Sequence, residues 1–113
     1  MITTWYLVRH GETEWNAAAR MQGRQNSPLT ARGRAQAAGV AELLERLGVD
    51  EIFASTLGRV RESVAIIGER VAAPVRYDDR LQEWSAGDWG GELIADVAVK
   101  WPEAYAAWQA DRV

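Results

Sequence analysis

Ile2-Thr3-Thr4-Trp5-Tyr6-Leu7-Val8-Arg9-His10-Gly11 is the stretch on which the fold turns. Ile2 to Val8 is apolar and β-branched, with both faces apolar near its end. That pattern predicts a strand buried on both faces, as in a parallel sheet flanked by helices. Polarity arrives abruptly at Arg9, His10 and Gly11. In open parallel sheets ligands bind outside the carboxyl ends of the strands, so this junction is a place for chemistry.

Outward from it, residues 11–29 hold no sustained period and include Gly11, Gly23, Asn26, Ser27 and Pro28, which predicts a long loop with one turn of helix. Thr30 reads as an N-cap, Val40, Leu43, Leu44 and Leu47 as the apolar stripe of a helix, and Gly48 as its stop. Glu51 to Ser55 predicts a second strand. Leu57, Val60, Val64, Ile67 and Val71 mark the buried stripe of a second helix. Pro74 to Tyr77 reads as a third strand near a sheet edge, because proline cannot donate to a ladder. After a loop over 78–91, residues 92–99 and 102–111 predict two short helices, with Pro102 at a first helical position and Tyr105 paired with Trp108. The order β-loop-α-β-α-β-loop-α-α is an α/β pattern over a single domain, 1–113, that ends without a closing strand.

Composition narrows the function. The chain has 113 residues, 48% hydrophobic and 26% charged, with a net charge of −3. That balance is globular, and it offers no broad positive field to gather nucleic acid or a membrane surface. The absence of cysteine excludes disulfides, a thiol nucleophile and thiolate metal sites. No apolar run reaches the roughly 18 residues of a membrane span, and no basic region precedes an apolar one at the start, so a cytoplasmic location is expected. All 13 basic residues except Lys100 are arginine, whose planar fork grips phosphates and carboxylates.

His10 is the sole histidine. A neutral imidazole attacks phosphorus to give a phosphohistidine that water later hydrolyses. Such a site needs cations for the phosphoryl oxygens, and Arg9 and Arg59 lie just beyond the first and second strands. The leaving alkoxide needs a proton, and Glu83, beyond the third strand, is the candidate donor.

Leu7 through Asn16 (LVRHGETEWN) resembles the signature of the histidine phosphatase superfamily, also called phosphoglycerate mutase-like. Gln22-Gly23 through Gly33, Ser55 to Arg59 with Arg61, and Glu83 through Gly91 match further segments in order. The resemblance implies a three-layer fold with a mainly parallel sheet. It implies His10 as nucleophile, Arg9 and Arg59 as phosphate ligands, Asn16 as a phosphoryl hydrogen-bond partner, Gln22 and Gly23 as a substrate-lining turn, and Glu83 as acid. Arg20, Arg24, Arg61 and Arg80 keep a surface reading.

The resemblance also implies a second histidine after a further strand in the C-terminal half, and a strand between those matching Leu7 and Phe53. Neither is in this sequence, so the chain is expected to match the first half to three-fifths of a member. The activity implied is hydrolysis of a small phosphomonoester, with no cofactor and no metal. The further readings are a phosphoglycerate mutase, and a catalytically impaired fragment that binds phosphate or oligomerises as a homodimer through unpaired strand edges.

Overall fold

The computed structural model describes residues 1–111; the last two positions of the expected 1–113 domain lie outside the described residues. Seven elements follow in order: α1 (Glu14–Ala17), α2 (Ala31–Leu47), β1 (Ile52–Ala54), α3 (Gly58–Gly68), β2 (Val75–Tyr77), α4 (Ile94–Lys100) and α5 (Pro102–Ala110), with 3-10 turns at Asp79–Leu81 and Gly87–Trp89. β1 and β2 pair in parallel, Ile52 opposite Val75 and Ala54 opposite Tyr77, so α3 is the crossover between them. Pro74 enters β2 through its carbonyl, which accepts from the Ile52 N–H at 2.9 Å.

α2 starts and stops where local chemistry says it should. The Thr30 hydroxyl accepts from the Gly33 N–H at 3.0 Å, and Gly48, at φ 76°, closes the helix with its N–H on the Leu44 carbonyl. α1 is a single turn held by a capping box: Thr13 Oγ1 accepts from the Asn16 N–H while Asn16 Oδ1 accepts from the Thr13 N–H.

α2 buries Gly33, Ala37, Ala41 and Leu44, a stripe of mostly small residues that lets α3 pack close. Ala41, Leu44, Ile67 and Val71 form the buried cluster, backed by Val40, Val49, Ile52 and Ala73. The predicted stripe is therefore only half covered: Leu44 is buried, while Leu43 and Leu47 stand about half exposed.

The same open side changes the expected first strand. Residues 2–8 take no strand structure, and among the described residues their main chain makes no hydrogen bond. A strand exists only with a ladder partner, and β1 offers its pairing groups to β2 alone. The segment stays beside β1 through side chains, with the Trp5 and Phe53 ring centroids 6.1 Å apart. The radius of gyration is 16.1 Å, against about 13 Å for a compact domain of this length. The molecule is open on the side where that segment lies.

Candidate functional site

His10 ends the unpaired segment, half-buried, with Nδ1 2.7 Å from the Gly11 carbonyl oxygen. A carbonyl only accepts, so Nδ1 carries the proton and Nε2 keeps its lone pair. Burial pushes the imidazole below its ordinary 6.5. The Gly11 hydrogen bond opposes that, the Arg59 and Arg9 charges add to it, and the Glu83 carboxylate opposes again. The net result is a neutral ring at pH 7.

The loop carrying His10 is clamped to two helices. The Gly11 N–H donates to Ser63 Oγ at 3.0 Å, and that hydroxyl donates to the Arg59 carbonyl at 2.9 Å, joining the histidine loop to α3. On the other side the loop crosses the first turn of α2 so closely that only glycines fit. A Cβ on Gly11 would stand 2.3 Å from the Gly33 carbonyl oxygen, and one on Gly33 would stand 2.0 Å from the Glu12 carbonyl oxygen. Thr30 Oγ1 adds a hydrogen bond to the Glu12 carboxylate at 2.9 Å.

Arg59, in the first turn of α3, is 2% exposed. Its Nη1 donates to the Gln25 carbonyl at 2.7 Å and its Nη2 to the Gly23 carbonyl at 2.5 Å, while its own N–H donates to Asn26 Oδ1 at 2.8 Å. Two of the fork's five N–H groups are thus anchored, and Nε is buried without a partner, as is Ser55 Oγ at the end of β1. Desolvation lowers the Arg59 pKa, with the Glu83 carboxylate opposing and Arg9 adding to the shift.

The structure gathers most of the predicted residues. Arg9, His10 and Asn16 line one cavity of about 690 Å³, and Asn16 Nδ2 has no partner among the described residues. Arg59 and Glu83 lie within charge-interaction range of His10. The exposed Glu83 carboxylate accepts from the Trp84 N–H at 3.1 Å, and its carbonyl accepts from Arg24 Nε. Gly23 meets Arg59 through its carbonyl at φ 55°. Gln22 is buried, its Oε1 accepting from the Thr13 and Ser27 hydroxyls at 3.1 and 2.7 Å, so its carbonyl end braces the loop.

The four arginines given a surface reading have structural partners. Arg20 donates to the Gly91 carbonyl, Arg24 to Glu83, and Arg61 to the Thr56 carbonyl while lying 4.1 Å above the Tyr77 ring. Arg80 grips Asp78 and holds that carboxyl down at about 2, chiefly through side-chain hydrogen bonds. Among the described residues no three histidine, aspartate or glutamate side chains gather as a metal site.

Ser63 and Asn26 escaped the sequence reading. Ser63 sits on the buried stripe of α3 between Val60 and Ile67, and a hydroxyl on an apolar stripe is the signal that marks it. Beyond the site, Trp84, Trp89, Trp101, Tyr105 and Trp108 form a connected aromatic cluster with ring centroids 5.7–6.4 Å apart, tying α5 to the turn at 87–89. Among the described residues no helix is long and apolar enough to cross a membrane.

Known proteins resemble this chain in sequence and in fold. A Shigella dysenteriae protein described as "Probable phosphoglycerate mutase" is 49% identical over 82 residues, which is 73% of this chain and 38% of that protein. A solved mycobacterial glucosyl-3-phosphoglycerate phosphatase, complexed with VO3, superimposes with a TM-score of 0.84 at 38% identity, covering 90% of this chain and 49% of that one. A Bacillus stearothermophilus structure gives 0.83 at 39% identity, covering 88% and 50%. The chain thus spans half or less of the length of these relatives. The sequence model of the histidine phosphatase superfamily (branch 1) matches residues 5–113, and the chain belongs to that family.

Proposed function

We propose that the chain supplies the nucleophile, arginine clamp and proton donor of a metal-independent phosphomonoesterase that works through a phosphohistidine at His10. One observation carries this reading: the Nδ1–H to Gly11 hydrogen bond leaves Nε2 free, on a ring that burial keeps neutral beside two guanidinium groups. In the first step Nε2 attacks the phosphorus of a small phosphomonoester and the P–O ester bond breaks. Glu83, in its carboxylic acid form, gives its proton to the departing oxygen. In the second step water, giving a proton back to Glu83, attacks the phosphorus and the N–P bond breaks, releasing inorganic phosphate and the free imidazole. Arg9 and the unanchored N–H groups of Arg59 offset the charge on the transferring group.

The matched phosphatase supports hydrolysis, while the 49% identity to a protein described as a phosphoglycerate mutase supports a second reading, in which the phosphoryl group returns to product. The family resemblance places a further histidine outside this sequence. Loss of one preorganised donor from such a site typically lowers kcat by about 10²–10³, so turnover by this chain is expected to be slow.

The test incubates the chain and its His10→Ala variant with para-nitrophenyl phosphate and EDTA, following product and acid-labile protein phosphorylation. Labelling that disappears in the variant supports the nucleophile assignment. Labelling that persists in the variant overturns it. Phosphate binding by a folded chain with neither labelling nor turnover favours the phosphate-binding, catalytically impaired reading. With 3-phosphoglycerate, isomer formation in excess of phosphate release identifies the mutase.

A further inference from the structure

We infer that Arg24 is a positioning residue for the acid: its side chain ties the main chain of Glu83 to the turn that anchors Arg59, and so sets where the proton is delivered. The inference rests on the reading of Glu83 as proton donor and concerns what holds that group relative to the arginine clamp.

Three observations meet at Arg24. First, its own main chain belongs to the clamp. The carbonyls on either side of it, those of Gly23 and Gln25, accept from Arg59 Nη2 and Nη1 at 2.5 and 2.7 Å. The turn that carries Arg24 is therefore fixed to a buried guanidinium by charge-assisted hydrogen bonds, which are among the stronger kinds.

Second, the side chain leaves that turn for the acid. Arg24 Nε donates to the Glu83 carbonyl at 2.9 Å, joining residues 59 positions apart. The main chain packs in the same sense. A Cβ on Gly23 would stand 2.7 Å from the Ala86 nitrogen and 2.9 Å from the Trp84 carbonyl oxygen. A continuous path thus runs from Arg59 through the 23–25 turn and Arg24 to Glu83.

Third, Arg24 holds the carbonyl of Glu83 and not its carboxylate. Among the described residues the two side chains form no ion pair, and the carboxylate accepts from the Trp84 N–H at 3.1 Å. A guanidinium paired with the carboxylate would favour its ionised form, the wrong one for an acid. A grip on the main chain locates the group and leaves its proton free to move. The residue before it is held separately: Gln82 Nε2 donates to Thr56 Oγ1 at 2.5 Å and to Asp79 Oδ1 at 3.2 Å. That pair fixes residue 82 beside the end of β1, while Arg24 fixes Glu83 itself to the clamp.

The test is a double-mutant cycle on the 113-residue chain, read as the rate of His10 phosphorylation by glycerol phosphate, an alkyl ester, and by para-nitrophenyl phosphate. Misplacing a reacting group by about 1 Å costs up to about 10²-fold, so Arg24→Ala should slow the alkyl ester by about 10–10²-fold and the aryl ester by less than about threefold. In a Glu83→Gln background the same substitution should slow the alkyl ester no further, because a residue that acts through Glu83 then has nothing to position. Arg20→Ala removes a comparable bond, to the Gly91 carbonyl at 2.7 Å, and should lower the urea midpoint while leaving the alkyl-to-aryl ratio unchanged. Equal slowing of both esters by Arg24→Ala overturns the inference, as do additive effects of Arg24→Ala and Glu83→Gln.

A second readout needs no turnover. The Trp84 amide, whose partner is the Glu83 carboxylate, is followed by NMR. Arg24→Ala should move its resonance toward the position it takes in Glu83→Ala, and Arg20→Ala should leave it in place. An amide that Arg24→Ala leaves unmoved overturns the inference. A wild-type chain that neither ester phosphorylates overturns the proposed reaction instead, and the amide readout then decides the placement of Glu83 by itself.

Discussion

Two glycines of one helix should respond to alanine in opposite directions. Gly39 lies in the middle of α2, exposed, and a Cβ there meets nothing within 4 Å. Helix propensity alone then acts, and Gly39→Ala should stabilise the chain by about 0.5–1 kcal/mol. Gly33 has the same propensity to gain, yet its Cβ would stand 2.0 Å from the Glu12 carbonyl oxygen. Ordinary contact begins near 3.4 Å, so the loop must retreat by more than 1 Å. The obstacle is main chain and cannot rotate away. The retreat strains the Thr30 hydrogen bond to Glu12 and the Gly11 hydrogen bond to Ser63. Overpacking of this kind costs typically 1–3 kcal/mol and can exceed that. Each disturbed hydrogen bond adds about 0.5–1.5 kcal/mol. Net of propensity, Gly33→Ala should destabilise by about 2–4 kcal/mol. Urea unfolding followed by circular dichroism measures both variants against wild type, and phosphorylation of His10 reports the displaced loop. A Gly33→Ala chain as stable as Gly39→Ala would refute the close crossing and, with it, the account of how His10 is positioned.

Other outcomes follow from the same geometry. Because burial lowers the His10 pKa, the rate of phosphoenzyme formation should rise with pH along a limb whose midpoint lies below 6.5 and level off above it; a midpoint above 6.5 contradicts the assigned environment. The sign for stability is the same: between the two pKa values the unfolded chain binds more protons, so the His10 contribution is full above 6.5 and is lost as pH falls through the folded value. His10→Gln should flatten that part of the urea-midpoint profile. Arg59→Lys should lower stability by about 1.5–3 kcal/mol, since one ammonium cannot reproduce the paired donation to the Gln25 and Gly23 carbonyls; an unchanged urea midpoint would remove Arg59 from that bracing role. Glu83→Gln should slow alkyl phosphates by about 10²–10⁴ and aryl phosphates far less, because only the former need a proton on leaving. Equal slowing of both argues against Glu83 as the acid.

The parts of the fold that sequence made legible are those governed by neighbours in the chain. Thr30 caps α2 through a bond to Gly33, and Gly48 closes it through a positive φ; both are decided within four residues. Pro74 marked an edge because a missing N–H is a property of one residue. Residues 2–8 show where that logic stops. Their composition suits a strand, but a ladder needs a partner at the right distance, and among the described residues β1, which they approach through Trp5 and Phe53, pairs with β2. The α2 stripe fails in a related way. Periodicity shows which face is apolar and not what covers it, so Leu43 and Leu47 stand open while small Ala37 and Ala41 carry the contact with α3.

The site divides along the same line. His10, Arg9, Arg59 and Glu83 could be picked out as candidates because their side-chain types follow predicted strands in the sequence. What holds them could not, since each brace joins positions far apart in sequence. Ser63 reaches 52 residues back to Gly11, and Arg59 reaches more than 30 residues to the carbonyls of Gly23 and Gln25. These braces also explain the use of glycine. Gly11 and Gly33 allow the loop to cross α2 at backbone contact, which brings Gly11 within reach of Ser63 and leaves its carbonyl to take the His10 Nδ1 proton. The tautomer that frees Nε2 therefore depends on two missing side chains and one hydroxyl, none of which takes part in the chemistry. On His10's upstream side residues 2–8 make no main-chain hydrogen bond among the described residues, and side-chain packing such as Trp5 on Phe53 holds that segment instead.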